Sequence, residues 1–349
     1  DTFASGSLQA DRLDLEALNQ ISQRLPLPEQ LRATLSRVQP QGQVNQLKAT
    51  WQKTDQAFNY TVHGQVRQLA MRRDVQADSP LAHLPGLQGA QLEFDLSQKG
   101  GKARISVSNG GVTLPLGLDE PHLVLQEASA QLAWQRKGED VALQFTQGKV
   151  VNDDLSGEFS GNWKNGEGDA RWPGVLDLTA SIHRAKVAQV YRYLPNALPA
   201  DVRSYVRDAV RAGEASRVSL RLRGNLNDMP FDDPKQGEFR IVVQLADGEY
   251  AYVPPVAGKS KGVSVPQWPA LKQLNGELVF DRSALHFKGR TQLAGAPDVT
   301  WQKVEAHIPN LAQTVVSVTG EGRGPLQQVL DTVAKTALND LTGGVLHKS

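Results

Sequence analysis

Apolar and polar residues alternate one by one through most of this chain, and a period of two commits a segment to a strand with one buried and one wet face. Val218-Ser219-Leu220-Arg221-Leu222-Arg223 and Val175-Leu176-Asp177-Leu178-Thr179-Ala180-Ser181-Ile182 show it most cleanly. The same alternation places strands near Val44 to Trp51, Phe58 to Met71, Ala90 to Leu96, Ala103 to Val107, Ala130 to Trp134, Val141 to Phe145, and Leu155 to Trp163. Further on it places them near Phe239 to Leu245, Leu274 to Phe280, Ala284 to Lys288, and Val315 to Thr319. Lys99-Gly100-Gly101, Asn109-Gly110, Lys137-Gly138 and Asp247-Gly248 are short, polar and Gly-bearing, so they read as hairpin turns joining antiparallel neighbours. The expected fold is mainly β with a few short helices.

A meander of roughly fifteen strands at about 4.8 Å spacing would extend about 70 Å, beyond where an open twisted sheet stays flat. A long antiparallel sheet that curls into an extended apolar groove is the expectation, since the few amphipathic helices cannot cover its whole apolar face. Filling of that face by a second sheet, as in a β-sandwich, is the alternative.

The chain also repeats. Leu27-Pro28-Glu29-Gln30-Leu31-Arg32-Ala33-Thr34-Leu35 and Leu198-Pro199-Ala200-Asp201-Val202-Arg203-Ser204-Tyr205-Val206 both place Pro at a helix start, followed by apolar residues four apart. One offset of 171 residues relates Pro28 to Pro199 and Gly42 to Gly213, the glycines falling where a helix is capped. Pro85-Gly86-Leu87 leading to Leu92-Glu93-Phe94-Asp95 similarly resembles Pro269-Ala270-Leu271 leading to Leu278-Val279-Phe280-Asp281. A third helix starts at Pro325, with Leu326, Leu330, Val333, Ala337, Leu338 and Leu341 on one face and Gly343-Gly344 after it. The expected organisation is a partial repeat over 1–41 ending in a helix, and a unit over 42–212 closed by a helix at about 199–212. A second unit follows over 213–342 with its helix at about 325–341, and 343–349 begin a truncated next unit. A start at Asp1 with no tripartite leader fits a piece excised from something longer.

Chemistry is harder to find. With 38 basic and 37 acidic residues the net charge is +1, too weak a field to argue for nucleic acid. No cysteine is present, which excludes disulfides and thiolate sites. His63, His83, His122, His183, His286, His307 and His347 include no helical i, i+4 pair, so they read as structural or surface residues with no metal or cofactor implied. Asp153-Asp154 and Asp232-Asp233 sit in turn-like contexts, where carboxylates cap. Gly320-Glu321-Gly322-Arg323-Gly324 has the wrong spacing for a dinucleotide loop and reads as a tight strand-to-helix turn. Trp51, Trp134, Trp163 and Trp172 read as fillers of cores or sheet faces, and Pro254 to Gln267 as a flexible loop. Arg203, Arg207 and Arg211, four apart, would share a helical face able to meet lipid phosphates, with Asp201 and Asp208 interspersed. No enzyme is expected.

Tyr193-Leu194-Pro195-Asn196-Ala197-Leu198-Pro199, then Arg203, Tyr205-Val206, Ala209-Val210 and Gly213, followed by Leu222-Arg223-Gly224-Asn225-Leu226 and Met229-Pro230-Phe231, resemble the central region of YhdP-type proteins of the AsmA-like superfamily. Trp268-Pro269 before Leu274-Asn275-Gly276-Glu277-Leu278, and the upstream Trp134, Asn152-Asp153 and Trp163, extend the likeness over nearly the whole chain. Tyr205 stands where the family commonly has Trp, Met229-Pro230-Phe231 where it has Phe-Pro-Phe, and the Pro254 to Gln267 insert is long.

The resemblance implies a middle segment of a repeating β-groove bridge, anchored in the inner membrane by a part absent here. Such a bridge crosses the periplasm of Gram-negative bacteria and carries phospholipid between the inner and outer membranes. On that reading acyl chains lie along a face that includes Leu132, Trp134, Leu176, Leu178, Ile182, Val218, Leu220, Leu222, Phe239, Ile241, Val243, Leu245, Leu278 and Phe280. Headgroups stay wet, with Arg203, Arg207 and Arg211 as their contacts. A β-rich envelope-assembly scaffold that binds protein partners through its sheet edges is the competing reading. A β-helical polysaccharide enzyme using Asp153 or Asp154 stands further off.

Overall fold

The computed structural model describes residues 5–22, 29–53, 58–74, 84–114, 117–166, 168, 171–254, 268–313 and 315–336. The chain opens with β1 (Ser5–Asp14), α1 (Leu15–Ser22) and α2 (Glu29–Val38). Eight strands follow: β2 (Gln41–Lys53), β3 (Phe58–Met71), β4 (Gly86–Ser97), β5 (Gly100–Thr113), β6 (His122–Lys137), β7 (Asp140–Val151), β8 (Leu155–Lys164) and β9 (Val175–Lys186). A 3₁₀ turn (Val187–Tyr193) and α3 (Ala200–Ala209) lead into β10 (Val210–Asn225) and β11 (Gly237–Tyr250). Then come β12 (Leu271–Asp281), β13 (Ala284–Leu293), β14 (Ala296–Ile308), β15 (Ser317–Arg323) and α4 (Leu326–Lys335). All fifteen strands belong to one open antiparallel sheet whose order follows the sequence, with no crossover. The chain divides into two compact units, one of Asp1–Thr179 with Arg223–Asn227 and one of Ala180–Leu222 with Asp228–Ser349.

Alternation called for roughly fifteen strands and placed thirteen of them. β1 and β14 were not expected, and neither was α1 ahead of α2. Two of the four expected turns are not turns. Asn109-Gly110 lies inside β5 and Asp247-Gly248 inside β11, where Asn109 and Asp247 hold φ of 50° and the strand carries on. A short polar residue at positive φ serves a bulge as well as a turn, and sequence does not separate the two. The same device recurs at Gln46, Gln68, Gly89, Gln147, Gln273 and Lys303, each at positive φ within a strand. Each bulge bends and twists its strand, the local means by which a sheet curls. Gly320 to Arg323 likewise belong to β15, so the turn into α4 shrinks to Gly324-Pro325. Leu27 and Pro28, residues 255–267 of the expected loop, and Ala337, Leu338, Leu341 and Gly343-Gly344 lie outside the described residues.

The 171-residue offset reappears in backbone geometry. α2 and α3 correspond end to end, and Gly42 and Gly213 hold φ of 123° and 126°. After β3 the Arg72 N–H donates to the last carbonyl of α2, Val38, at 2.7 Å. After β11 the Ala251 N–H donates to the last carbonyl of α3, Ala209, at 2.8 Å. Strand register matches too: Val66↔Leu92, Leu69↔Ala90 and Met71↔Leu87 in β3–β4 parallel Leu245↔Gly276, Gly248↔Leu274 and Tyr250↔Leu271 in β11–β12, with shifts at the same places.

What ties the helix down differs between the units. Arg37 of α2 reaches Asp74 with its Nε at 3.1 Å from one carboxylate oxygen, and donates from Nη2 to Thr34 Oγ1 at 3.3 Å. The Asp74 side chain is 1% exposed, so removing Arg37 would strand a buried charge and cost more than breaking a surface bridge. Tyr205 of α3, at the position of Thr34 plus 171, instead donates to the Tyr252 carbonyl at 3.0 Å. With its one proton so used, Tyr205 accepts from the Tyr250 hydroxyl at 2.6 Å. Burial, reinforced by this bond, pushes the Tyr250 phenol well above its ordinary value, and burial raises Tyr252 as well.

Two outcomes follow from these joints. Gly213→Ala places a Cβ 2.8 Å from Gly248 Cα at a φ closed to L-residues, and should cost about 1–3 kcal/mol in urea unfolding. Gly138→Ala, with open space around it, should cost less. The folded chain holds the Tyr250 proton to higher pH than the unfolded chain, whose phenol titrates near pH 10. That stabilisation is therefore present below about pH 10 and fades above it, and Tyr250→Phe should flatten the alkaline fall of the urea midpoint.

Candidate functional site: the apolar face

Register decides which residues share a face, because directly opposed residues in antiparallel strands point the same way. In the first unit Leu132 opposes Ala103 and Phe145, while Trp134 opposes Gly101 and Leu143. Leu143 in turn opposes Trp163, and Phe145 opposes Gly161. Leu92 and Phe94 of β4 oppose Ile105 and Ala103 on the same side. In the second unit Ile241 opposes Phe280, which opposes Leu285. Val243 opposes Leu278, then Phe287, Ala306 and Val318 in succession across β12 to β15. Leu245 faces Gly276.

Phe239 lies at the start of this row in β11, where its carbonyl accepts the Arg282 N–H. Leu176 and Leu178 sit on β9 in the first unit. Ile182 on β9 and Val218, Leu220 and Leu222 on β10 sit in the second. All fourteen expected lining residues are half-buried, neither sealed in nor fully exposed.

Part of each face packs into a buried cluster. In the first unit Val44, Val66, Leu69, Ala90, Val107 and Leu125 form a buried cluster, with Leu15 of α1 packed against it. In the second unit Leu274, Phe287 and Val304 form its counterpart, joined by Trp301 and Tyr250. Elsewhere the face carries large side chains, and among the described residues no second sheet lies over them. The largest fully buried side chains among the described residues are Phe231 and Val299.

The opposite face is wet and paired across strands. Thr50 and Thr61 share a hydroxyl bond at 2.7 Å, Lys149 meets Glu127 at 2.8 Å, and Lys303 meets Glu321 at 2.8 Å. Each such exposed pair is worth up to about 1 kcal/mol. A cavity of about 420 Å³ is bordered by Gln135, Gln144, Asn162, Lys164 and Asp177 together with Ala133, Ala142, Leu143, Trp163 and Val175.

A pattern absent from the expectation is that aromatic rings lie over glycines of the neighbouring strand. A Cβ on Gly101 would stand 2.7 Å from Trp134 Cζ2, and one on Gly148 or Gly161 would stand 2.6 Å from the ring of Phe159 or Phe145. Trp51 covers Gly6, Phe94 covers Gly64 and Trp301 covers Gly322 in the same way, each pair in direct register. A ring lying on a glycine shields backbone hydrogen bonds and keeps to within about 3.5–4 Å of the sheet, whereas upright side chains fill the roughly 10 Å between packed sheets. The rings thus pave the face instead of obstructing it. The signal was present in sequence as Gly and aromatics in alternating strands, but only register pairs them.

The three arginines do not form one cationic face. α3 ends at Ala209, so Arg211 belongs to β10, where it lies 3.8 Å from Glu249. Arg203 donates to the carbonyls of Leu198 and Asn196, and Arg207 pairs with Asp208 at 3.1 Å. The break comes at Val210, which takes extended dihedrals (φ −90°, ψ 99°) and opens β10. Asn152 shapes the turn at Asp153-Asp154, its side-chain oxygen accepting the N–H groups of Asp154 and Leu155 at 3.0 and 2.8 Å. Asp233 does the same for Lys235 at 2.9 Å.

A family model described as YhdP protein matches residues 2–349. The chain belongs to the YhdP family. Comparison with curated proteins gives no match, and neither does comparison with solved structures. No helix among the described residues of this YhdP-family chain is long and apolar enough to cross a membrane.

The glycine–aromatic pairing makes a prediction. Gly6→Ala opposes only the Trp51 ring, so the alanine should force that ring off the strand. Gly6→Ala alone should destabilise by about 1–2 kcal/mol, and in a double-mutant cycle with Trp51→Ala most of that loss should vanish. Urea unfolding of the four proteins measures it, and additive losses would mean the ring is not what the glycine accommodates.

Proposed function

We propose that this chain is a segment of a bridge-like phospholipid conduit, in which the apolar face of the sheet shields acyl chains while headgroups remain in water. The half-burial of the lining residues in both units carries this reading: a sandwich core would seal them, and an ordinary solvated surface would not place Trp, Phe, Leu and Ile in register. Membership of the YhdP family supports it. The proposed location is the periplasm between inner and outer membranes, and the proposed role is conduction without catalysis.

The energetics favour such a face. Moving some thirty acyl methylenes through water at about 0.8 kcal/mol each costs on the order of 20 kcal/mol. An apolar strip offsets most of that barrier. It must hold its cargo weakly and at many similar places, since a deep specific pocket would trap it. A paved face fits this requirement, and Arg203 and Arg207 of α3, engaged by local carbonyls and by Asp208, argue for headgroups left to solvent.

Gently purified protein should carry phospholipid detectable by native mass spectrometry. Leu132→Asp and Val243→Asp, each placing a carboxylate on the apolar face, should reduce that occupancy at least tenfold, because an unpaired buried charge costs several kcal/mol. Thr61→Asp, on the polar face, should leave it unchanged. Wild-type occupancy in the two lining variants, or co-purifying polypeptide in place of lipid, would count against the conduit; the latter would favour the scaffold reading.

A further inference from the structure

The polar face of the second unit holds a pair of side chains that the lipid reading does not use. His286 of β13 and His307 of β14 are direct cross-strand partners, flanked by Leu285↔Ile308 and Phe287↔Ala306, which point to the apolar face. Their imidazoles stack with centroids 4.0 Å apart and planes 17° from parallel. His286 is exposed and His307 half-buried, so solvent reaches the pair. Val279 lies beside it on β12 and Ser317 on β15. The next row on this face carries the Lys288–Glu305 ion pair at 3.2 Å.

We infer that His286 and His307 form a binding site for a borderline divalent transition-metal ion, of the zinc or copper class, on the polar face of β13 and β14. Two imidazoles on directly opposed residues of adjacent strands lie within reach of one ion. A metal–nitrogen bond of about 2.0–2.1 Å puts two nitrogens of one tetrahedral ion about 3.3 Å apart, so the stacked rings, 4.0 Å apart, must turn about their side-chain torsions until both in-plane lone pairs converge on the ion. The sheet holds both Cα atoms in place through the ladder on either side of the pair, so little backbone order has to be gained on binding. Imidazole suits zinc and copper, whereas magnesium and calcium prefer oxygen ligands. Among the described residues no three His, Asp or Glu side chains converge on one point, so the remaining coordination positions fall to water. With no cysteine anywhere in the chain, thiolates do not compete for the ion. A bound ion clips β13 to β14 and stabilises the folded form by mass action. The inference stands independently of the lipid reading, because it concerns the other face.

The test titrates the untagged chain with zinc chloride and with copper(II) chloride, followed by calorimetry and thermal unfolding. Copper should bind more tightly than zinc, in line with the general order of divalent affinities. His286→Ala and His307→Ala should each weaken binding at least tenfold and abolish the metal-dependent rise in the unfolding midpoint. His183→Ala should do neither. Electron paramagnetic resonance of the copper adduct should show two equatorial imidazole nitrogens in the wild type and one in either variant, a signature that a fold defect does not mimic. Unchanged affinity in the His286→Ala/His307→Ala double variant, or a single nitrogen in the wild-type spectrum, would overturn the site.

Discussion

Each strand of this protein hydrogen-bonds to the strand that follows it in sequence, and the rest of the structure depends on that ladder. A sheet built without crossovers joins most neighbouring strands by turns or loops, and α-helices enter only between β1 and β2 and between β9 and β10, so among the described residues the connections cover little of either face. One face meets water through cross-strand polar pairs. The other is apolar, and in each unit only part of it is gathered into a buried cluster of strand side chains.

Three local devices shape the uncovered stretch. Bulges at residues such as Gln68, Asn109, Gln147 and Asp247 bend individual strands without ending them. Glycines opposite Trp51, Phe94, Trp134, Phe145 and Phe159 let the rings lie against the backbone. Helices α2 and α3 lock onto the segments after β3 and β11 through the same backbone bond, at Val38 and Ala209. The lock tolerates different chemistry, an Arg37–Asp74 ion pair in one unit and a Tyr205–Tyr250 hydroxyl bond in the other. What recurs is backbone geometry, centred on Gly42 and Gly213, while side chains are free to differ around it.

Much of the candidate site was legible in the alternation. Leu132, Trp134, Ile241, Val243, Leu278 and Phe280 were named from periodicity, and register sets them together on the apolar faces of their units. The arginines were less legible. Spacing of four suggested one helical face for Arg203, Arg207 and Arg211, but the chain has already become extended at Val210, which puts Arg211 on a strand. His286 and His307 escaped notice because ligand spacing was sought along a helix, and their proximity exists only across two strands.

The sequence by itself determined strand character, the sidedness of each strand and the places where glycine must stand, because these depend on period and on φ, both properties of neighbouring residues. Only the tertiary structure decided whether a polar residue at positive φ makes a turn or a bulge, which ring lies on which glycine, and which histidines meet. Those outcomes depend on register, and register is fixed by hydrogen bonds between residues that the sequence holds apart.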